Sequence, residues 1–287
     1  MKRGFIGFQV HAVPRGSGPY EVRWRNILIR DLTRRKVVFI GAAGGHGGEA
    51  HQHIAGNHLL AEVLRNSGYR FETVECEGYP KDPAVLADAD AVVFYCNGGG
   101  GHLVMPHLDE FDALVRRGLG VVCLHYAVEV PKGRPGELMR RWIGGYFETD
   151  WSVNPVWTAE FKSLPTHSIT RGVVPFTLRD EWYYHMRFVD GMRGVTPILS
   201  AHPPRETLNR RDGPHENNPH VREAIARGEI QHVAWAFERP DEWGGGRGFG
   251  FTGGHWHRNW QNPNMRTIVA NAIAWAAGAP VPAWGLH

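Results

Sequence analysis

The chain has 287 residues, of which 42% are hydrophobic and 21% charged, and its net charge is +3. A large core is within reach of that composition and wholesale disorder is excluded, while so small a charge, with Lys and Arg scattered, offers no footing for nucleic acid. No apolar run approaches the length of a membrane span, so no membrane partner is expected.

Residues 1–34 alternate apolar and polar positions: Phe5, Ile6, Phe8 and Val10, then a Pro-Arg-Gly-Ser-Gly-Pro turn, then Tyr20, Val22, Trp24, Ile27 and Ile29. This pattern predicts a β-hairpin. Met1-Lys2-Arg3-Gly4 opens it without the apolar stretch of a signal peptide, so none is expected in this chain.

From Lys36 the pattern changes to strands alternating with helices, which predicts a mostly parallel open sheet with helices on both faces. Lys36–Ile40 reads as a buried strand, and residues near 51–67 as a helix ended by Gly68. Further strands are expected at Arg70–Cys76, Ala91–Cys96 and Gly120–Leu124, with an amphipathic helix at Leu108–Arg117 and a short one near 136–143. Beyond these, strands are expected at Val156–Phe161, Glu181–Met186 and Pro197–Ser200, and a polar loop at about 202–220. Strands at Val233–Phe237 and Gly248–Thr252 and a helix at Met265–Ala277 complete an α/β domain over 35–287. The three cysteines, Cys76, Cys96 and Cys123, are odd in number and stand in strand-like surroundings, so they read as reduced thiols rather than a disulfide framework.

Ligands of open parallel sheets bind beyond the carboxyl ends of the strands. With 17 His and 36 Gly in the chain, the residues just past each strand are informative. After the first strand comes Gly41-Ala-Ala-Gly-Gly-His46-Gly-Gly-Glu49-Ala-His51-Gln-His53. It lacks the Gly-x-x-x-x-Gly-Lys-Ser/Thr of a phosphate loop, so no nucleotide is expected. His51 and His58, seven apart, are expected to share a helix face, with His53 and His58 in capping or surface roles. After the third strand, Asn97 and four glycines including Gly100 precede His102; so many glycines suit close approach of a ligand. After the fourth, His125 and Tyr126 occupy a sharp elbow over the sheet edge, with Cys123 still inside the strand. Asp180-Glu181-Trp182-Tyr183-Tyr184-His185, if extended, puts Glu181, Tyr183 and His185 on one face. After the last strand comes Gly253-Gly254-His255-Trp256-His257-Arg258.

His125, Glu181 and His255 could therefore converge from three strand ends. Two imidazoles and a carboxylate suit a divalent metal such as zinc, and equally suit general acid/base work without one. His46, His51, Gly100, His102, Tyr126, Tyr183, His185, Trp256 and His257 form a second tier for binding substrate, although a purely structural Trp/Tyr cluster at 182–184 is an equal reading.

Three motifs carry a family resemblance: Gly-Val-Val-Cys-Leu-His125-Tyr-Ala, Asp180-Glu181-Trp-Tyr-Tyr, and Gly-Phe-Thr-Gly-Gly-His255 together with the later Asn271-Ala-Ile-Ala-Trp275-Ala-Ala. Over roughly 36–279 the chain resembles the trehalose-utilisation (ThuA-like) family. That resemblance implies a flavodoxin-like fold akin to class I glutamine amidotransferases. An amidotransferase needs Cys where this chain has His125, and Pro-Glu does not come after His255, so glutamine hydrolysis is not expected. Residues 1–34 resemble the closing strands of the 3-keto-disaccharide hydrolase family, a concanavalin-like sandwich, and would be a remnant of such a domain or of a misplaced start. Both resemblances imply a small carbohydrate as partner and a hydrolase or lyase acting on a disaccharide or 3-keto-glycoside. The alternative is a non-catalytic sugar-binding or regulatory domain. A lone hairpin is marginal, so covering by another copy of the chain, a homo-oligomer, is left open, as is the compartment.

Overall fold

The computed structural model describes residues 7, 15, 16, 18, 21–25, 33–44 and 47–287. The chain divides into two units, Met1–Asp31 and Leu32–His287. Most of the expected hairpin lies outside the described residues; within the first unit, Arg23 pairs with Glu21 on an exposed stretch.

The second unit runs β1 (Arg35–Gly41), α1 (His53–Asn66), β2 (Phe71–Glu77), α2 (Ala84–Ala87), β3 (Ala91–Tyr95), α3 (Leu108–Val115), β4 (Gly120–Leu124), α4 (Arg134–Ile143) and β5 (Gly145–Tyr146). It continues with β6 (Val156–Phe161), β7 (Phe176–Glu181), β8 (Arg187–Phe188), β9 (Val195–Ala201), α5 (Pro219–Ala226), β10 (Gln231–Glu238), β11 (Arg247–Phe251) and α6 (Pro263–Ala276). Seven strands form one sheet in the order β2-β1-β3-β4-β11-β10-β9. The first five are mutually parallel; β10 and β9 add antiparallel strands at one edge. β6 and β7 make a separate antiparallel pair.

Apart from edge strand β2, the parallel strands are buried on both faces because helices cover both. Alternation divides the residues of each strand. Val37 and Phe39 of β1 face Leu60 and Leu64 of α1 and the apolar side of α6. Val38 and Ile40 face the opposite way, into a core with Phe111 and Val115 of α3 and Met139 and Trp142 of α4. The expected α/β sheet with helices on both faces is thus the observed fold. Among the described residues no helix is long and apolar enough to cross a membrane. Cys96 and Cys123 are buried thiols in this core, and Cys76 is a half-buried one on edge strand β2.

Two expectations need correction. The strand expected at Glu181–Met186 instead ends at Glu181. Phe176–Glu181 alternates in register with Val156–Phe161, whereas Trp182, Tyr183 and Tyr184 are all buried and cannot alternate between core and solvent. The polar stretch expected as loop ends in α5, which begins at Pro219 with the Asn218 side chain accepting from the Val221 N–H at 3.0 Å.

Gly250 in β11 lies opposite Trp235 in β10, and a Cβ there would sit 2.1 Å from the indole ring. Alanine ordinarily favours a strand over glycine, but here overpacking wins. Gly250→Ala is expected to destabilise the protein by about 1–3 kcal/mol in denaturant unfolding.

Candidate functional site

β1, β3, β4 and β11 are parallel neighbours, so their carboxyl ends open onto one edge, and the strand order reverses between β1 and β3. That is where ligands of such sheets bind. His125 is the first residue beyond β4 and takes a left-handed conformation, φ 53°. His51, between β1 and α1, does the same at φ 52°, and its N–H donates to the His255 carbonyl at 2.9 Å. His255 comes after β11 and two glycines, and Glu181 is the last residue of β7. Left-handed backbone costs about 1–2 kcal/mol at a residue with a Cβ. Two such residues at one site mark it as a place where geometry is imposed.

The side chains meet tightly. His51 Nε2 is 3.1 Å from His255 Nδ1 and 3.2 Å from His125 Nε2, and the latter two nitrogens are 3.3 Å apart. Glu181 Oε2 is 3.0 Å from His255 Nδ1 and 3.5 Å from His125 Nε2. All four ligand atoms lie within 4.8 Å of one another. A tetrahedral ion with bonds of about 2.0–2.1 Å sets its ligand atoms about 3.3–3.4 Å apart. The donor set and most of its spacings therefore fit a divalent cation such as zinc, so these residues could hold one.

The surroundings fix these groups. His125 Nδ1 lies 2.8 Å from the Thr252 carbonyl, which can only accept, so Nδ1 carries the proton and Nε2 presents its lone pair to the cluster. Burial, reinforced by the neighbouring His51, holds the His125 imidazole well below the usual histidine range and so neutral. The Tyr183 hydroxyl is 3.2 Å from the same Nε2, and burial keeps it a phenol. Asp180, fully buried, accepts from the N–H groups of Gly254 at 2.8 Å, His255 at 3.1 Å and Glu181 at 2.8 Å. Burial pushes its carboxyl up against the downward pull of the Gly254 N–H. Tyr95 donates to the Gly254 carbonyl.

Of the residues singled out from sequence, His125, Glu181 and His255 come together. His51, expected among substrate-binding residues, joins them as a fourth member. It does not share a helix face with His58, because α1 starts only at His53, and His58 instead meets Glu75 at 3.1 Å. His53 is buried, with Nδ1 3.2 Å from the Ala42 carbonyl. Tyr126 lies at the cluster's margin, its ring 5.8 Å from that of His51.

Tyr183 and Glu181 both reach His125, but His185 does not share their face. The strand has ended, His185 has φ 57°, and its ring turns to Trp151, with Nδ1 2.8 Å from the Trp151 carbonyl. His102 is 1% exposed, and both ring nitrogens meet backbone, Ala127 O at 3.2 Å and Val104 N at 3.1 Å. Burial lowers its pKa to about 4, and neither nitrogen is left for a substrate hydroxyl. Trp256 stacks edgewise on His255 and carries Arg258 over its ring. The N–H of His257 donates to the Glu49 carbonyl at 2.8 Å. Gly100 sits in an exposed one-turn 3-10 helix, and His46 lies outside the described residues.

One pair is not evident from sequence. Glu129 is 3% exposed, and its Oε1 accepts from His215 Nε2 at 2.9 Å. A Cβ on Gly99 would lie 3.4 Å from that oxygen and 3.8 Å from the Tyr126 hydroxyl, so the pair borders the glycine loop. His215 stacks on Phe147, which packs against Tyr183. The pair joins residues 86 positions apart, and no local spacing announces it.

Among solved structures, a ThuA-like protein of Bacteroides uniformis is similar to this chain, with 17% identity, a TM-score of 0.56, and coverage of 84% of this chain and 91% of its own. A ThuA-like protein of Parabacteroides merdae is similar too, with 17% identity, a TM-score of 0.55, and coverage of 87% and 92%. At such identity the likeness speaks for the fold. A search of curated proteins finds no match. The sequence pattern of the ThuA family, described as trehalose utilisation, matches residues 37–276, which takes in the sheet but for the first two residues of β1, and all four clustered side chains. The chain belongs to the trehalose-utilisation (ThuA) family.

Proposed function

We propose that the protein is a carbohydrate-active hydrolase or lyase that acts on a disaccharide or 3-keto-glycoside at the His51, His125, Glu181 and His255 cluster. The observation that carries this reading is the mutual approach of three imidazole nitrogens to 3.1–3.3 Å at the ligand-binding edge of the sheet. Three acceptor nitrogens at that distance repel one another unless a cation or shared protons lie between them. A divalent cation held there with one position left for the sugar would supply a Lewis acid for a carbonyl or hydroxyl oxygen.

The protein's own groups do the rest. Tyr183, kept protonated by burial, offers a hydroxyl donor beside His125. Glu129 holds His215 and raises its pKa through their hydrogen bond, against the opposing effect of burial. In this reading His215 serves as the proton donor to a leaving oxygen. Tyr126, beside the glycine loop, gives a sugar ring an apolar face to rest on. Trehalose and 3-keto-disaccharides are the substrates to try first, because the family's description and the resemblance of residues 1–34 favour them.

Metal analysis of purified protein, with incubations on trehalose and 3-keto-disaccharides, tests the reading. Wild type is expected to hold a single divalent ion and to turn over one of these sugars. His125→Ala and His255→Ala are each expected to lose the ion and the turnover while keeping the far-UV circular dichroism of the wild type. Unchanged activity in both variants would remove this mechanism. Sugar binding without product on prolonged incubation would make it a binding domain instead.

A second expectation concerns pH. The His215 pKa is raised in the folded state, so its contribution to stability is complete below about 6.5 and is lost as pH rises through the folded value. Glu129→Gln removes that contribution. The difference in melting temperature between wild type and Glu129→Gln should be greatest near pH 6 and shrink towards pH 8.5. A constant difference would show that the pair does not titrate as described.

A further inference from the structure

Apart from Glu181, the outward face of the β6–β7 pair has no part in the cluster. In its register Val156 lies opposite Glu181 and Thr158 opposite Arg179, while Trp157, Ala159 and Phe161 point to the core. The segment around residues 204–210 closes over this face and leaves a cavity of about 560 Å³. Its wall includes Asn154, Thr158, Arg179, Glu181, Glu206 and Arg210. Glu181 therefore belongs to both places: it lines the cavity, and its Oε2 is 3.0 Å from His255 Nδ1.

The wall carries two arginines and two glutamates, but among the described residues no ion pair joins them. Arg210 Nη2 donates to Asn154 Oδ1 at 3.1 Å, but Nη1 is buried and has no hydrogen-bond partner among the described residues. Neither Arg210 nor Arg179 makes an ion pair among the described residues. Glu181 is directed at the imidazoles, and Glu206 and Arg179 are exposed, which leaves Arg210 as the part-buried charge of the wall. A guanidinium N–H left buried without an acceptor forfeits hydration, and it is matched best by a planar oxyanion. The volume lies within the range of small-ligand sites and accommodates a sugar ring.

We propose that this cavity is a subsite for a sugar ring bearing a carboxylate, which Arg210, with Arg179, anchors while the neighbouring ring or linkage lies at the four-residue cluster. The inference rests on the carbohydrate reading above and narrows it to acidic sugars such as uronic acids. Thr158 and Asn154 supply hydroxyl partners, and the guanidinium fork supplies the discrimination. The orienting carboxylate and the proposed metal then share one wall through Glu181.

Calorimetric titration of the full chain with glucuronate, glucose 6-phosphate and glucose tests this. Glucuronate is expected to bind at least about tenfold more tightly than glucose, as one charge-assisted bidentate contact would give. Arg210→Gln should erase that preference, and Arg210→Lys, which keeps charge without the fork, should restore only part of it. Should Arg210→Gln fail to fold, Arg179→Gln reads the same preference at the other guanidinium. Equal binding of glucuronate and glucose, no binding of either, tighter binding of glucose 6-phosphate, or a preference that survives both glutamine variants would overturn the proposal. Metal content is scored separately: bound ion without glucuronate binding sinks the subsite alone, and glucuronate binding without bound ion sinks only the metal reading.

Discussion

Asp180 accepts hydrogen bonds from the backbone N–H groups of Gly254, His255 and Glu181 with a side chain from which water is fully excluded. It thereby joins the end of β7 to the turn beyond β11, and everything at the cluster depends on that junction. Glu181 belongs to a hairpin that is not part of the main sheet. Without a tie between hairpin and strand end, its carboxylate would have no fixed position relative to His255. A buried carboxylate held by several N–H donors is strongly destabilising to disturb, because removing one partner leaves the others unsatisfied. The same turn supplies the Thr252 carbonyl that sets the His125 tautomer, so one short segment governs both the position and the proton state of its neighbours.

Around that junction the sheet acts as a gathering device. His51, His125 and His255 are separated by 74 and 130 residues along the chain, yet each lies past a parallel strand and so reaches the same edge. Non-local clusters of this kind are what the doubly wound arrangement offers: strand interiors supply a rigid apolar platform, and the chemistry sits where the strands stop. Glu129 and His215 extend the edge past the glycine loop, and the β6–β7 face extends it the other way through Glu181.

The strands and the ligand-binding edge are legible in the sequence because apolar runs ending in Gly or His state both a buried strand and its exit. For Gly120–Leu124 and Val156–Phe161 the expected and observed boundaries coincide. His125 and His255 are recognisable for the same reason: each is among the first polar side chains past an apolar strand. The place of His51 is harder to read, since a left-handed turn before α1 leaves no trace in apolar periodicity. His102 misleads because a histidine after four glycines looks open to ligand, whereas its ring nitrogens are consumed by backbone groups of a compact turn. His185 misleads because the extended pattern it needs stops four residues earlier, at Glu181. Asp180 and the Glu129–His215 pair depend on long-range packing, which no single stretch of sequence encodes.

The left-handed backbone at His51 and His125 has a bearing on attempts to make this protein sturdier. Glycine would relax the backbone at both positions, yet both imidazoles are buried, and removing one would empty packed volume and, at His125, leave the Thr252 carbonyl without its donor. Each such exchange would delete an imidazole from the cluster. Backbone relief and loss of packing thus oppose each other at these two residues, and the strained conformations persist because the surrounding structure holds them.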